Sequence, residues 1–371
     1  MDEVTPQSEK KYVDLRCLGK GKRILCFLAD FFIVFILSLM MFHLAVYPLG
    51  RVIADYDGQM TSLRQAQQKR DKILYDSGLL FPEKDGATGV DQFDASLAFT
   101  ATNYIHRFVD SSWDQKYGVF ETYFGKIRGD KPALVTFYKA LDEGQGFFDF
   151  GAETVTLKAT YVTEFAPAFN PQDEMSEQGK KDYARFENKI FAQGYNRMLN
   201  DIMEKDLVRE GVSYVAEQKK ITAALNNSKT LIVISAVASF LLVWLICHII
   251  VPLLNKKHRT IGMMAMRIER IHSSDFDVYS IPMTYLASLY ALASEMACVI
   301  FIPWGVTNFN ELFALPMLFV LSIISLVYIL ASIAMVLLDV YNRSIGDFLS
   351  RGFYISNDDF DTLVRERGYK R

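Results

Sequence analysis

Apolar residues gather in four long blocks, at Ile24 to Tyr47, Thr230 to Leu254, Pro282 to Val306 and Leu312 to Leu338. A helix crossing a hydrocarbon core roughly 30 Å thick needs about 20 mostly apolar residues, at a rise of about 1.5 Å each. Each block meets that length, so the pattern predicts transmembrane helices at residues 23–47, 230–254, 282–306 and 312–338. The first block is longer than a signal-peptide core, and no small-residue cleavage site follows Tyr47. It reads as a retained helix that also directs insertion.

Residues 48–229 have a different texture and hold more than half of the charged residues. Two Pro-free stretches, Arg51 to Asp76 and Lys180 to Ser228, favour helix. The second sets Phe186, Ile190, Tyr195, Met198, Ile202, Leu207 and Val212 at near-helical spacing. They predict two antiparallel helices that extend the first and second spans. Between them, Gly86 to Asn170 is aromatic-rich, with an alternating strand expected at Thr154–Glu164 and short helices at Ser96–Val109 and Ala133–Leu141. The expected fold is a mainly α membrane protein. A four-helix transmembrane bundle carries a mostly helical, partly mixed extracytoplasmic domain on two long helical extensions.

Orientation follows from Lys and Arg near the helix ends. Lys10, Lys11, Arg16, Lys20, Lys22 and Arg23 lead into the first block. Lys256, Lys257, Arg259, Arg267 and Arg270 separate the second and third, and Arg343, Arg351, Arg365, Arg367, Lys370 and Arg371 follow the fourth. The connection from Trp304 to Glu311 has neither residue type. The bias places residues 1–22, 255–281 and 339–371 in the cytoplasm, with both termini inside and 48–229 outside a plasma membrane.

The whole-chain averages conceal this division. Of 371 residues, 51% are hydrophobic, and the mean hydropathy of +0.12 is that of a soluble protein only because the polar insert offsets the blocks. A net charge of −3 argues against a nucleic-acid partner. Cys17, Cys26, Cys247 and Cys298 all lie in cytoplasmic or membrane segments without CxxC spacing, which argues against disulfides and structural zinc. The chain lacks GxSxG, HExxH, Walker and GxGxxG patterns, so neither an enzyme nor a cofactor is expected.

Ionisable residues within spans cost energy and mark function by default. Arg23 and Asp30 stand seven residues apart, a rotation of about 700°, and so share one stripe. Asp30 is either a structural cap beside a snorkelling Arg23 or a cation- or proton-binding carboxylate. Asp339, Arg343 and Asp347 recur every four residues and share a face if the fourth helix continues. Glu295, the one acid of the third block, belongs either to an interhelical hydrogen bond or to an ion path. His43 and His248 read as interfacial. Asn255 to Ile271 is basic and amphipathic, suited to lie against anionic headgroups. Within it, Thr260 could cap a short helix and Gly262 could allow close backbone contact.

Three segments resemble the RDD family of bacterial membrane proteins, named for an Arg and two Asp. Arg23-Ile-Leu-Cys-Phe-Leu-Ala-Asp30 is similar to its R-x-x-A-x-x-x-D opening, with Cys26 where Ala is usual. Arg259-Thr260-Ile261-Gly262, continuing through Arg267, is similar to its Thr-x-Gly-Lys-like motif, with Met263 in place of the basic residue. Arg343-Ser-Ile-Gly-Asp347 resembles the closing R-x-x-x-D segment without its terminal Thr. The likeness covers residues 22–47 and 230–355 and leaves the insert outside. It implies that Arg23, Asp30 and Asp347 are the named residues and that the activity is transport, including cation/proton exchange. Four helices are few for a carrier, so this reading expects a homo-oligomer. The competing reading is a membrane-anchored binding, sensory or scaffold protein acting through residues 48–229.

Overall fold

A computed structural model describes residues 17–83, 96–170, 172–255, 257–273, 279–306 and 316–366. Lys10, Lys11, Arg16, Lys256, Arg367, Lys370, Arg371, residues 86–95, most of the Trp304–Glu311 connection and the expected fourth-helix start at Leu312 lie outside the described residues. The described chain is mainly helical. Four helices, Lys20–Ile53, Tyr214–Leu254, Ile281–Phe301 and Pro316–Leu338, are long and apolar enough to cross a membrane. Leu254, Ile324, Val327 and Leu338 are each more than half exposed. A water-soluble chain would cover such faces, whereas hydrocarbon accepts them. This is the architecture of a multi-pass α-helical membrane protein.

The chain divides into two compact units, Met1–Tyr56 with Asn227–Arg371 and Asp57–Asn226. In the first unit, Val34, Phe42, Phe240, Trp244, Val299 and Leu318 belong to one buried apolar core. The first and second apolar helices each contain a proline, Pro48 and Pro252, preceded by a π-helical turn at Phe42–Val46 and Ile246–Ile250. A proline ring clashes with the carbonyl four residues earlier, here that of Leu44 or His248. The widened turn absorbs the clash, and both helices continue.

After the second helix, Thr260 accepts the Met263 N–H at 3.3 Å and caps Ile261–Met266, as the sequence suggests. Arg267 ends that helix with φ +53°, and Ile268–His272 then pairs antiparallel with Gly352–Ser356. The expected amphipathic stretch is therefore part helix and part strand. The strand is favoured because Ile271 packs among Phe353, Ile355 and Phe360.

The fourth helix stops at Leu338, so Asp339, Arg343 and Asp347 do not share a continuous helical face. Asp339 instead accepts the backbone N–H groups of Tyr341 and Arg343 at 3.0 and 3.1 Å. Those donors are free only because the helix has ended, and an Asp side chain competes well for them. Asn342 then turns with φ +54°, and Ser344 starts a new helix, Ile345–Leu349, through a capping box with Asp347.

In the second unit, Leu97–Val109 and Lys131–Asp142 form close to their expected bounds, around a core rich in Phe and Tyr. The expected strand at Thr154–Glu164 is cut to Val155–Leu157, which pairs with Phe148–Phe150, and Ala159–Phe165 is helical. Helical spacing lets Phe165 bury completely while Tyr161 meets Phe147, and that packing outweighs the alternating pattern. The expected helical run from Lys180 is likewise interrupted. A hairpin pairs Val208–Arg209 with Val212–Ser213 across Glu210 and Gly211, which have φ +50° and +78°. Leu63 and Ala66 of Tyr56–Asp76 pack against Ile221, and Arg70 reaches Gln218 while Arg209 reaches Ser77, so the paired helices run antiparallel.

Candidate functional site

Arg23 lies one turn into the first apolar helix and is 9% exposed. Its Nε and Nη2 donate to Asp347 Oδ2 at 3.2 and 2.6 Å, and its guanidinium lies 4.0 Å from the Tyr354 ring centre. The capping box supplies Asp347 with two more donors, the Ser344 N–H at 3.1 Å and hydroxyl at 2.7 Å. Arg270 stands 3.8 Å from the other carboxylate oxygen and donates to the Tyr354 hydroxyl. Burial alone would push the Asp347 carboxyl upward. The two guanidiniums and these hydrogen bonds prevail and hold it below the ordinary carboxylate range.

Two turns further along the same helix, Asp30 uses both oxygens. Oδ2 accepts the Thr260 hydroxyl at 2.7 Å, and Oδ1 accepts the Gly262 N–H at 2.6 Å. A Cβ at Gly262 would sit 2.7 Å from Asp30 Cγ and 2.7 Å from the Cys26 carbonyl oxygen. Only glycine fits there without displacement. Arg23 and Asp30 thus share a stripe but not a partner. Each ties the first helix to a different one of the two short helices beyond the second and fourth.

Glu295 ends the α-helical part of the third apolar helix, before a 3-10 turn over Met296–Phe301. It is 1% exposed, and its Oε1 lies 2.8 Å from His248 Nε2. Its Oε2 has no hydrogen-bond partner among the described residues. His248 is 3% exposed and so is enclosed by its neighbours. The π-helical turn before Pro252 leaves the His248 carbonyl to accept the Ser288 hydroxyl at 2.9 Å. Ser325 donates to the Ala293 and Ser294 carbonyls at 2.6 and 2.7 Å, fixing the helix just before Glu295.

Arg23, Asp30, His248, Arg270, Glu295 and Asp347 all line one cavity of about 100 Å³. A single water needs roughly 10–15 Å³ by this measure, so the cavity has room for several waters or a small hydrated ion. Thr260 lines it as well, whereas Asp339, Arg343, Arg259, Gly262 and Arg267 stand apart from its lining. Asp339 and Arg343 form a two-pronged pair at 3.0 Å on each prong. Arg259 donates to Glu269, which also meets Lys257 at 3.0 Å. Arg267 serves through its left-handed backbone, and its carbonyl accepts the Asn357 N–H at 3.1 Å. Among the described residues, no three His, Cys, Asp or Glu side chains converge as metal ligands.

The sequence reading missed His248 and Arg270 as cavity residues. Pro252, four positions after His248, was the available signal, because it forces a widened turn and a freed carbonyl. Arg270 had no comparable signal, since its placement depends on a strand pairing 84 residues distant in sequence from Tyr354. Comparison with protein-family models, curated proteins and solved structures returned no match.

Proposed function

We propose that the chain is an RDD-like multi-pass protein of a bacterial plasma membrane that moves a cation or small solute through the cavity of its first unit. Both termini and the short helix–strand elements would face the cytoplasm, against anionic headgroups, and the Asp57–Asn226 unit would stand outside. The observation carrying this reading is the convergence of Arg23, Asp30, Asp347 and Glu295 on one cavity among apolar helices. The first RDD-like segment also bonds directly to each of the other two, through Arg23 to Asp347 and Asp30 to Thr260 and Gly262. Four apolar helices suit a homo-oligomer. The test is uptake by vesicles containing the full chain, screened with monovalent cations and small solutes. Flux above empty vesicles that falls in Asp30→Asn, at unchanged insertion and melting temperature, supports the proposal. Unchanged flux in Asp30→Asn sinks the role given to that carboxylate.

A second reading, a membrane-anchored binding or sensory protein, is favoured by one feature. The Asp57–Asn226 unit packs a large aromatic core of its own, as an independent binding domain would. A ligand-dependent change in the first unit, caused by a compound bound to the second, would favour it over transport.

A further inference from the structure

Every carboxylate on the cavity wall except Glu295 has its charge answered. Asp347 bonds Arg23 and lies beside Arg270, and Asp30 accepts two strong donors. Counted as formal charges, the two guanidiniums balance the two aspartates. Glu295 is left as an unbalanced carboxylate, fully buried, with one oxygen on His248 and the other without a hydrogen-bond partner among the described residues. Such a charge is costly in a low-dielectric interior, and a single added proton removes it. Asp30 from the first helix and Arg270 from the strand are the other charges that act on the pair. The thiols of Cys247 and Cys298 stand beside it, and Cys298 donates to the Glu295 carbonyl at 3.0 Å. Further along the cavity wall, Cys26, Tyr290, Tyr328, Tyr354 and His258 complete the titratable set.

We propose that His248 and Glu295 form a single-proton binding site facing the cavity. The Nε2–H···Oε1 bond, with the tautomer assigned from its geometry, serves both states. In the empty state, neutral imidazole donates to the carboxylate. Hydronium in the cavity then delivers a proton and leaves as water, and the proton resides on Oε2 or on imidazole Nδ1. In either position the pair is neutral overall and the 2.8 Å bond is retained. Asp347 is then an anchor, and the His248–Glu295 pair takes the proton. Use of this proton to drive solute movement rests on the transport reading above, whereas the proton site itself does not.

The test is an infrared pH titration of the full chain in lipid vesicles, between about pH 5 and 8 where a histidine-linked site responds, alongside proton flux read by an entrapped pH dye under a potassium gradient. The wild type should show the carbonyl band of a protonated carboxyl that titrates with imidazole bands. Glu295→Gln should abolish it, His248→Asn should displace its midpoint, and Asp339→Asn should leave it unchanged. If Glu295→Gln does not fold, Glu295→Asp should retain a titrating carboxyl with a displaced midpoint. A Glu295→Gln or Glu295→Asp protein that titrates as the wild type overturns the site. A titrating pair in vesicles without any flux supports the proton site and counts against transport. Proton flux whose pH profile is untouched by either Glu295 variant overturns the use of this proton in transport, while the infrared titration alone decides the site.

Discussion

Two carboxylates at different places on one cavity wall are equally buried and meet opposite surroundings. Asp347 is 2% exposed and receives four hydrogen bonds, with a second guanidinium close by. Glu295 is 1% exposed and has one partner. Burial raises the cost of charge at both, so the number of donors decides what each can do. A fully answered carboxylate is a staple whose loss exposes other charges. A half-answered one can exchange a proton without dismantling its neighbours.

The largest expected effect tests the staple. Asp347→Ala leaves Arg23 and Arg270 buried without a counter-charge, and breaking a buried pair in this way costs about 3–5 kcal/mol. The melting temperature in detergent should fall steeply, and a variant that melts with the wild type would remove Asp347 from the scaffold. Gly262→Ala comes next, since its new methyl group overlaps Asp30 and the Cys26 carbonyl. Overpacking of this kind costs about 1–3 kcal/mol, read by the same melt. Glu295→Gln keeps an acceptor for His248 and removes the unbalanced charge, so stability should stay within about 1 kcal/mol or rise. A collapse of Glu295→Gln equal to that of Asp347→Ala would erase the distinction between the two carboxylates. Asp339→Asn, in a pair at the end of the fourth helix, should cost only about 0.2–1 kcal/mol.

The smallest effect lies in the other unit. His106 stacks between Trp113, at 3.9 Å between ring centres, and Phe169, at 4.1 Å. Burial holds its imidazole below the ordinary histidine value, against the opposing pull of Asp110. The unfolded chain therefore takes up the proton first as pH falls. The stability contributed by neutral His106 is whole above about pH 6.5 and is lost as pH drops through the window below it. Trp113 fluorescence during denaturation, with Trp244 and Trp304 replaced by Phe, should show that loss, and His106→Gln should flatten it.

The pattern along the chain marked the four apolar helices and the Thr260 cap, because each depends on local spacing or on one residue's geometry, and it offered Gly262 as a place for close backbone contact. It also brought Arg23, Asp30, Glu295 and Asp347 forward as ionisable groups in apolar surroundings. It misjudged segments where side-chain contacts, some distant and some local, overrode the pattern. Tyr161 and Phe165 turn an alternating segment into helix in order to reach Phe147 and the core. Asp339 and Ser344 claim backbone donors that a continuing fourth helix would have used.

Sequence alone determined which residues could not remain in water and which charges would be expensive among them, since hydropathy and charge belong to the residues themselves. Only the tertiary structure decided how those charges were answered. Arg23 passes over Asp30, seven residues away in its own helix, and bonds Asp347, 324 positions along the chain. Glu295 meets a histidine that Pro252 had set in a widened turn. Pairing depends on distances of a few ångströms between elements remote in sequence, and in a low-dielectric interior those distances separate an anchor from an exchangeable proton site.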